Sequence, residues 1–488
     1  MNGTMMQYFH WFYSSEGELW RQLEQEAPGL REAGITGLWL PPAYKGNQGP
    51  TGMGYATYDL FDLGEFDQKG SVRTRWGNKD EFMRAVAVAK AQGIEVYEDV
   101  VFNHKQGADE TEDVTAVAVN PQNRNDPPPG QGREQGIRAW THFTFPGRGD
   151  QYSAMKWHWY HFDAVDYDDN TKSAGTIWRL KDKSFDNPVG RDLGNYDYLM
   201  ACDTDMENEE VIAEFTHWGQ WFTEQTDIDG FRIDAAKHTR FTFFNGWLDH
   251  LRGITRKPLF TVGEYHDYDL GNLQRYISET GGRISLFDFP LQNKFHLASR
   301  HGGGFPMSQI LDGTLTQANP TLSVPFVENH DTQPGRGSFA HPVEPWFKPL
   351  AYALILLRQE GYPCIFHPDY YGAEYTGQDN NHVTLFSHKF LLDRFLDARI
   401  NHAYGPQYDW FDHDNVIGWT RLGDNEHPKA MAVVMSDGPE GNKWMNVERP
   451  DALFHDITGH IGDAVRCNAD GWGDFGCRGG SVSVWVQE

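Results

Sequence analysis

Four short stretches of this sequence carry groups suited to acid–base and nucleophilic chemistry: Asp99-Val-Val-Phe-Asn103-His104, Gly230-Phe-Arg232-Ile-Asp234-Ala-Ala-Lys237-His238, Gly263-Glu264-Tyr265 and Glu328-Asn329-His330-Asp331. Each lies at the end of a short apolar run of β character. Arg232 and Asp234 stand two apart in extended chain, so their side chains point the same way. A guanidinium beside a carboxylate favours the ionised form and lowers its pKa, as a carboxylate nucleophile requires. Glu264 comes from a different run, beside Tyr265 and near Val262, surroundings able to raise its pKa and keep it protonated as an acid. Two carboxylates with opposed demands are the core of glycoside hydrolysis, and in its retaining form they stand about 5 to 5.5 Å apart. The same Arg232 and Asp234 also read as a structural salt bridge, and a lone carboxylate at a strand end is commonly a cap or a solvated loop residue. Convergence of all four stretches on one face favours chemistry. His104, His238 and His330 each stand within a few residues of a candidate carboxylate, which sets them apart from the other histidines among the 21.

Bringing four distant stretches together requires a scaffold that ends many strands on one side. Eight β-type runs are spaced along the chain: Met5 to Trp11, Ile35 to Leu40, Ile94 to Phe102, Ile228 to Ile233, Leu259 to Gly263, Ile284 to Phe287, Leu322 to Val327 and Tyr362 to Phe366. Helical stretches alternate with them. Trp20, Leu23, Ala27 and Leu30 recur at three and four residues, as do Val211, Phe215, Trp218 and Phe222. Eight βα units predict a (β/α)8 TIM barrel, whose functional groups sit on loops at the C-terminal ends of the strands. The third loop is too long to be an ordinary connection. Residues 104–207 are rich in Pro, Gly, Asp and Trp, as in Asp126-Pro127-Pro128-Pro129-Gly130, and read as an irregular inserted domain. Within it, Trp157-His-Trp159-Tyr160 reads equally as core or as sugar platforms. Beyond about residue 397 helical periodicity stops, and short β runs predict a C-terminal antiparallel β-sandwich over 398–488. The barrel would then comprise 1–103 and 208–397.

With 488 residues, the chain is long enough for one large domain with additions. Its 42 Lys plus Arg against 69 Asp plus Glu give a formal charge of −27, which argues against a nucleic-acid binder and suits a neutral ligand. The longest apolar runs, such as Tyr352 to Leu357, fall far short of a membrane span. No signal peptide is visible after Met1, so a cytoplasmic protein is favoured, with a mature secreted form left open. Cys202, Cys364, Cys467 and Cys477 form no disulfide framework or CxxC pair; a Cys467 to Cys477 bridge across a turn is one option, and free thiols are the expected state in a reducing cytosol. Gly471-Trp-Gly473-Asp-Phe-Gly476 fits a dinucleotide fingerprint only formally, because twelve residues remain after it. The sequence contains no GxSxG elbow, Walker A loop or HExxH helix.

The four stretches, in this order and at barrel-strand spacing, resemble the four signature regions of the α-amylase family, glycoside hydrolase family thirteen. Met6-Gln-Tyr-Phe, Leu40-Pro-Pro-Ala-Tyr-Lys-Gly46, Asp62-Leu-Gly-Glu-Phe-Asp-Gln-Lys-Gly70, Asn195-Tyr-Asp-Tyr-Leu-Met200 and Trp346-Phe-Lys-Pro-Leu-Ala-Tyr-Ala353 resemble its liquefying bacterial members and their intracellular relatives. The resemblance implies a retaining endo-hydrolase of α-1,4-glucans, with Asp234 as nucleophile, Glu264 as general acid/base and Asp331 as the third carboxylate. It further implies that His104, Arg232 and His330 contact the reacting sugar, that Tyr55 stacks on it, and that Lys237 and His238 line the leaving-group side. A transglycosylase or maltooligosaccharide-producing enzyme is the alternative within the class, and a catalytically silent glucan-binding barrel the alternative outside it. The partner expected is an α-glucan, with no nucleic acid or membrane, and the protein is expected to be a monomer.

Calcium takes six to eight oxygen ligands, and Asn103 together with the acidic run Asp197 to Glu207 could supply them. The resemblance implies a structural calcium ion between inserted domain and barrel, held by Asn103, Asp197, Asp203, the carbonyl of His238 and one residue of the inserted domain. The resembling subgroup can also hold a second Ca2+ or Na+ cluster, for which Asp163, Asp186 and Asp205 match, whereas Glu207 stands where an Asp is expected. A third site, from Asp437 and carbonyls such as Gly303, is disfavoured because Asn415 replaces an Asp. Asp203, Asp205, Glu207 and Glu214 match an EF-hand loop by accident, since Asn208 sits where the turn needs Gly.

Overall fold

The structure is a computed structural model that describes residues 2–128 and 132–488. Pro129 and Gly130 of the turn-rich run therefore lie outside the described residues. The eight expected strands form one parallel sheet: β1 (Met5–Gln7), β2 (Gly37–Trp39), β3 (Glu95–Val100), β4 (Gly230–Ile233), β5 (Phe260–Gly263), β6 (Ser285–Phe287), β7 (Ser323–Val324) and β8 (Cys364–Phe366). Neighbours pair in chain order, β8 returns to β1, and a parallel bridge from Phe326 to Cys364 closes the ring. The strands are shorter than the apolar runs that predicted them. At β1 the chain leaves the sheet after Gln7, so Trp11 is delivered to the barrel mouth instead of to a strand.

Local chemistry fixes the surrounding helices. Helix Leu19–Ala33 buries Leu19, Trp20, Leu23, Ala27 and Leu30, the stripe read from the sequence. Helix Lys79–Ala91 opens on a capping box, in which Asn78 Oδ1 accepts from Glu81 N and the Glu81 carboxylate accepts from Asn78 N, both at 3.0 Å. The last barrel helix, Lys389–Asn401, runs past residue 397, where sequence periodicity ends. It continues because Arg399 is buried and donates to the carbonyls of Gly3 and Leu356.

After β3 the chain makes its long excursion as a six-stranded antiparallel sheet. Its first and last strands, His104–Lys105 and Cys202–Thr204, pair with each other, with Asp203 opposite His104. Leaving and returning at adjacent strands places residues nearly 100 apart in sequence side by side at the mouth of the barrel. The C-terminal region stacks a six-stranded antiparallel sheet on a two-stranded one, Gly441–Asn446 with Trp472–Cys477, around a core that includes Ala432, Val434, Met445, Phe454, Phe475 and Trp485. All four cysteines are free and buried, so the Cys467 to Cys477 bridge does not form. Asn468 N bonds Trp472 O, which keeps Cys467 near the start of the strand that ends at Cys477. Cys477 stands at the far end of that extended strand.

Candidate active site

Arg232 organises the site. It is wholly buried on β4, directly opposite Asp99 in the β3 register. Its Nη1 donates to Asp99 Oδ1 at 2.8 Å and to Asp234 Oδ1 at 2.5 Å, while Nη2 lies 2.9 Å from Glu264 Oε2. Trp39 Nε1 and Tyr55 Oη complete Asp99 by donating to its other oxygen at 3.0 and 2.7 Å. One guanidinium thus holds carboxylates from the ends of β3, β4 and β5. Because Asp234 and Glu264 occupy the two adjacent ends of one planar fork, they are close neighbours, as a retaining pair must be. The Arg232 and Asp234 salt bridge is therefore real, and it lies inside the site. Glu264 Oε2 also accepts from Ala235 N at 3.1 Å, tying the β4 loop to β5.

The three candidate carboxylates face a cavity of about 550 Å3 at the C-terminal mouth of the barrel, within the range of a ligand pocket. Arg232 shows no exposure, whereas the side chains of Asp234, Glu264 and Asp331 keep 12, 14 and 21%. Burial, with the charges of Asp234 and Asp331, outweighs Arg232 and pushes Glu264 up to about 8, which keeps its acid protonated at neutral pH. Asp331 goes the other way. Burial raises it, but His330, Arg336 and Arg232 together overcome that and hold its carboxyl below the ordinary range.

The expected sugar-contact residues line the same cavity: Tyr55, His104, Lys237, His238 and His330. Gly54, at φ 101°, turns the chain so tightly that a Cβ would sit 2.6 Å from Pro42, and this delivers Tyr55. The Tyr55 ring stacks on His330 at 4.9 Å and 3° and on Trp11 at 6.0 Å and 12°. Gln7 Nε2 donates to His330 Nδ1 at 3.0 Å, so His330 turns an Nε2–H toward Asp331. Burial drives His330 and His238 down to about 3, leaving both as neutral hydrogen-bonding groups. His238 Nδ1 donates to Tyr196 O at 2.8 Å, and His104 Nε2 to Tyr55 O at 2.9 Å. Lys237 is held between Asp192 and Asp267 at 2.7 and 3.0 Å.

Comparison with known proteins resolves the lineage. Residues 20–416 match the family model described as the α-amylase catalytic domain, and residues 434–486 match that of an α-amylase C-terminal domain. The chain belongs to the α-amylase family. It is 51% identical over 490 residues to an α-amylase of Geobacillus stearothermophilus, covering 99% of this chain and 87% of that protein. It is 43% identical over 497 residues to a cytoplasmic α-amylase of Escherichia coli (strain K12), covering 100% and 99%. A glucan 1,4-alpha-maltohexaosidase of Bacillus sp. (strain 707) is 47% identical over 492 residues, covering 100% and 93%. Among solved structures, an α-amylase from Geobacillus thermoleovorans complexed with acarbose superposes with a TM-score of 0.65 at 17% identity, over 100% of this chain and 98% of that one, a likeness of fold.

This member of the α-amylase family carries a buried oxygen cluster beside the site. Asn103 Nδ2 lies 3.3 Å from Asp197 O, 3.4 Å from Asp203 Oδ1 and 3.2 Å from His238 O. Asp163, Asp186 and Asp197 bring carboxylate oxygens within 4.8 Å of one another. Asp163 Oδ2, Asp186 Oδ1 and Asp203 Oδ2 are buried without a partner. Burial and mutual repulsion push Asp163, Asp186 and Asp203 well above the carboxylate range, and Asp197 to about 7. Such a donor set fits a hard cation.

Asp205, expected in the second cluster, stands near enough for its charge to raise Asp163, Asp186 and Asp197; Lys183 Nζ sits 2.5 Å from its Oδ2, its Oδ1 accepts from Glu207 N and Asn208 N, and Asp197 joins Asp163 and Asp186 in the group of facing oxygens. Between barrel and C-terminal region, Asn415 Nδ2 donates to Gly303 O at 2.7 Å and to Asp437 Oδ1 at 3.0 Å. Trp157 is buried, whereas Tyr160 is 41% exposed, so the aromatic run of the inserted sheet divides between core and surface.

Sequence reasoning left Asp99, Trp11, Arg336 and His266 out of the site. Alternation along β3 could have found Asp99, which shares the inward register of Arg232. Arg336 gave no signal, since it lies in a loop without periodicity.

Proposed function

We propose that this protein hydrolyses internal α-1,4-glucosidic bonds of starch, glycogen and maltooligosaccharides by a retaining double displacement. The observation that carries the reading is the shared Arg232 fork, which sets Asp234 beside Glu264 while their environments separate their roles. Asp234 Oδ attacks the anomeric carbon as Glu264 gives its proton to the leaving glucosidic oxygen. The resulting glycosyl ester is opened by a water that returns its proton to Glu264. Asp331, held ionised, accepts hydroxyls of the distorted sugar. Tyr55 supplies its stacking face, His104 and His330 its neutral hydrogen-bonding partners, and Lys237 and His238 the leaving-group side. Incubation with soluble starch and an end-blocked maltooligosaccharide tests this: α-anomers and cleavage of the blocked substrate are expected, and β-anomers or no cleavage would overturn it. The same digest reads the second possibility, favoured by the maltohexaosidase relative, as a narrow product size.

The donor set beside the site we assign to calcium, with Asn103, Asp197, Asp203 and the His238 carbonyl holding one ion and Asp163 and Asp186 extending the group. Turning the Asn103 amide over would add its oxygen and give the Nδ1 of His104, 3.2 Å away, a donor. Calcium there would neutralise buried carboxylates and tie the inserted sheet to the barrel. The expected division into barrel (1–103 and 208–397), inserted domain (104–207) and C-terminal domain (398–488) is proposed with one boundary moved, since helix Lys389–Asn401 carries the barrel to 401. Likeness to the Escherichia coli protein supports a cytoplasmic location, and cell fractionation checks it.

A further inference from the structure

A second arginine, unlike Arg232, lines the cavity itself. Arg336, five residues beyond Asp331 and 5% exposed, donates from Nη2 to Asp331 Oδ1 at 2.7 Å. Its guanidinium carbon lies 3.4 Å from the centre of the Trp11 ring and 5.3 Å from that of the Phe339 ring. Gln378, with its amide oriented to satisfy both groups, accepts from Arg336 Nη1 at 2.8 Å and donates to Arg336 O at 3.1 Å. Trp11 is itself fixed, because its backbone N–H bonds Gln333 Oε1 at 3.0 Å and its ring stacks on Tyr55. A guanidinium held against the Trp11 face by two polar partners loses little entropy when it fixes a carboxylate.

We infer that Arg336 is a positioning residue: it fixes the Asp331 carboxylate for the reacting sugar. The inference rests on the glucan hydrolase reading and deepens it. Arg232 secures the pair that makes and breaks bonds, whereas Arg336 secures the carboxylate across from it. Asp331 is faced by His330 from its own loop, Arg232 from β4, Glu264 and His266 from the β5 end, and Arg336, so it stands among like and unlike charges. Removing Arg336 leaves His330, which is neutral, and the more distant Arg232 to keep Asp331 ionised beside Glu264.

The test compares wild type, Arg336→Gln and Arg336→Lys on an end-blocked maltooligosaccharide across pH, with thermal melting alongside. Arg336→Gln should lower kcat/KM at least tenfold, chiefly through kcat, and move the acid limb of its pH profile upward. Arg336→Lys should return the acid limb toward wild type, because the charge is restored, while kcat stays lowered, because the planar fork that orients the carboxylate is not. A folded Arg336→Gln protein with wild-type kcat/KM and an unmoved acid limb would overturn the inference, as would a pure loss of melting temperature. A wild type that leaves the substrate intact would instead overturn the glucan hydrolase reading.

Discussion

Asp99 and Arg232 face each other across β3 and β4 as a fully buried ion pair, Oδ1 to Nη1 2.8 Å, beneath the residues proposed to do the chemistry. Asp99 takes a share of the Arg232 charge that Asp234 and Glu264 would otherwise receive. Asp99→Asn should therefore strengthen the pull of Arg232 on Glu264 and lower the pKa of the acid. The expected outcome is a basic limb of kcat/KM moved to lower pH, a fall in kcat of about a hundredfold, and a stability loss of about 1–3 kcal/mol from the disturbed buried network. An unmoved basic limb would show that Asp99 only supports the fold.

Asp234→Asn and Glu264→Gln should each remove nearly all hydrolysis, since one forms the covalent intermediate and the other moves its proton. Both side chains reach the cavity, so melting temperatures should stay near wild type. Asp331→Asn should also be severely impaired. Turnover rates decide the matter, and a variant of Asp234 or Glu264 retaining a tenth of wild-type kcat would refute the assignment.

Acid sensitivity should trace in part to His367, 5% exposed, with neither ring nitrogen partnered. Burial takes it from 6.5 down to about 3. Its folded pKa is depressed, so the unfolded chain binds the proton first. The stabilisation is whole above pH 6.5 and is lost as pH falls toward 3, at about 1.4 kcal/mol per pH unit. His367→Phe, placed among Tyr8, Tyr13 and Tyr371, should melt with a shallower dependence between pH 6.5 and 4.5. Parallel slopes for the two proteins would remove His367 from the account.

The barrel was legible because eight short β-type runs alternate with helical stretches, two of which, at Trp20 to Leu30 and Val211 to Phe222, carry a stripe that reports the buried face. The positions of Asp234 and Glu264 followed from strand ends. What the sequence hid was pairing across distance. That Lys183 joins Asp205 at the edge of the acidic group, and that Arg336 lies on Trp11, depend on loop paths that no periodicity encodes. Strand lengths were overread for a related reason: residues such as Trp11 are apolar because they line a cavity, and composition alone cannot separate that from a sheet interior.

Thiol titration checks the C-terminal fold. Denatured protein should yield four reactive groups with or without prior reduction, because the strand that begins at Trp472 carries Cys477 away from Cys467. Two groups in the unreduced sample would mean that the segment from Cys467 to Cys477 folds differently.

Metal removal should expose the cost of packing Asp163, Asp186 and Asp197 together with oxygens within 4.8 Å. With calcium bound, their charges are ligands; without it, they repel one another in a buried site. Exhaustive chelation should lower the melting temperature of the wild type, and added calcium should restore it in proportion to the logarithm of its free concentration. Asp163→Asn provides the sharper comparison. It removes one ligand, so the variant should gain less from calcium; it also removes one repelling charge, so in chelator it should melt at least as high as the wild type. The two proteins should therefore exchange order between the two conditions. Elemental analysis of the purified wild type should find calcium. Melting temperatures indifferent to both chelator and substitution, with no calcium present, would leave these aspartates as protonated, hydrogen-bonded core groups instead of ligands.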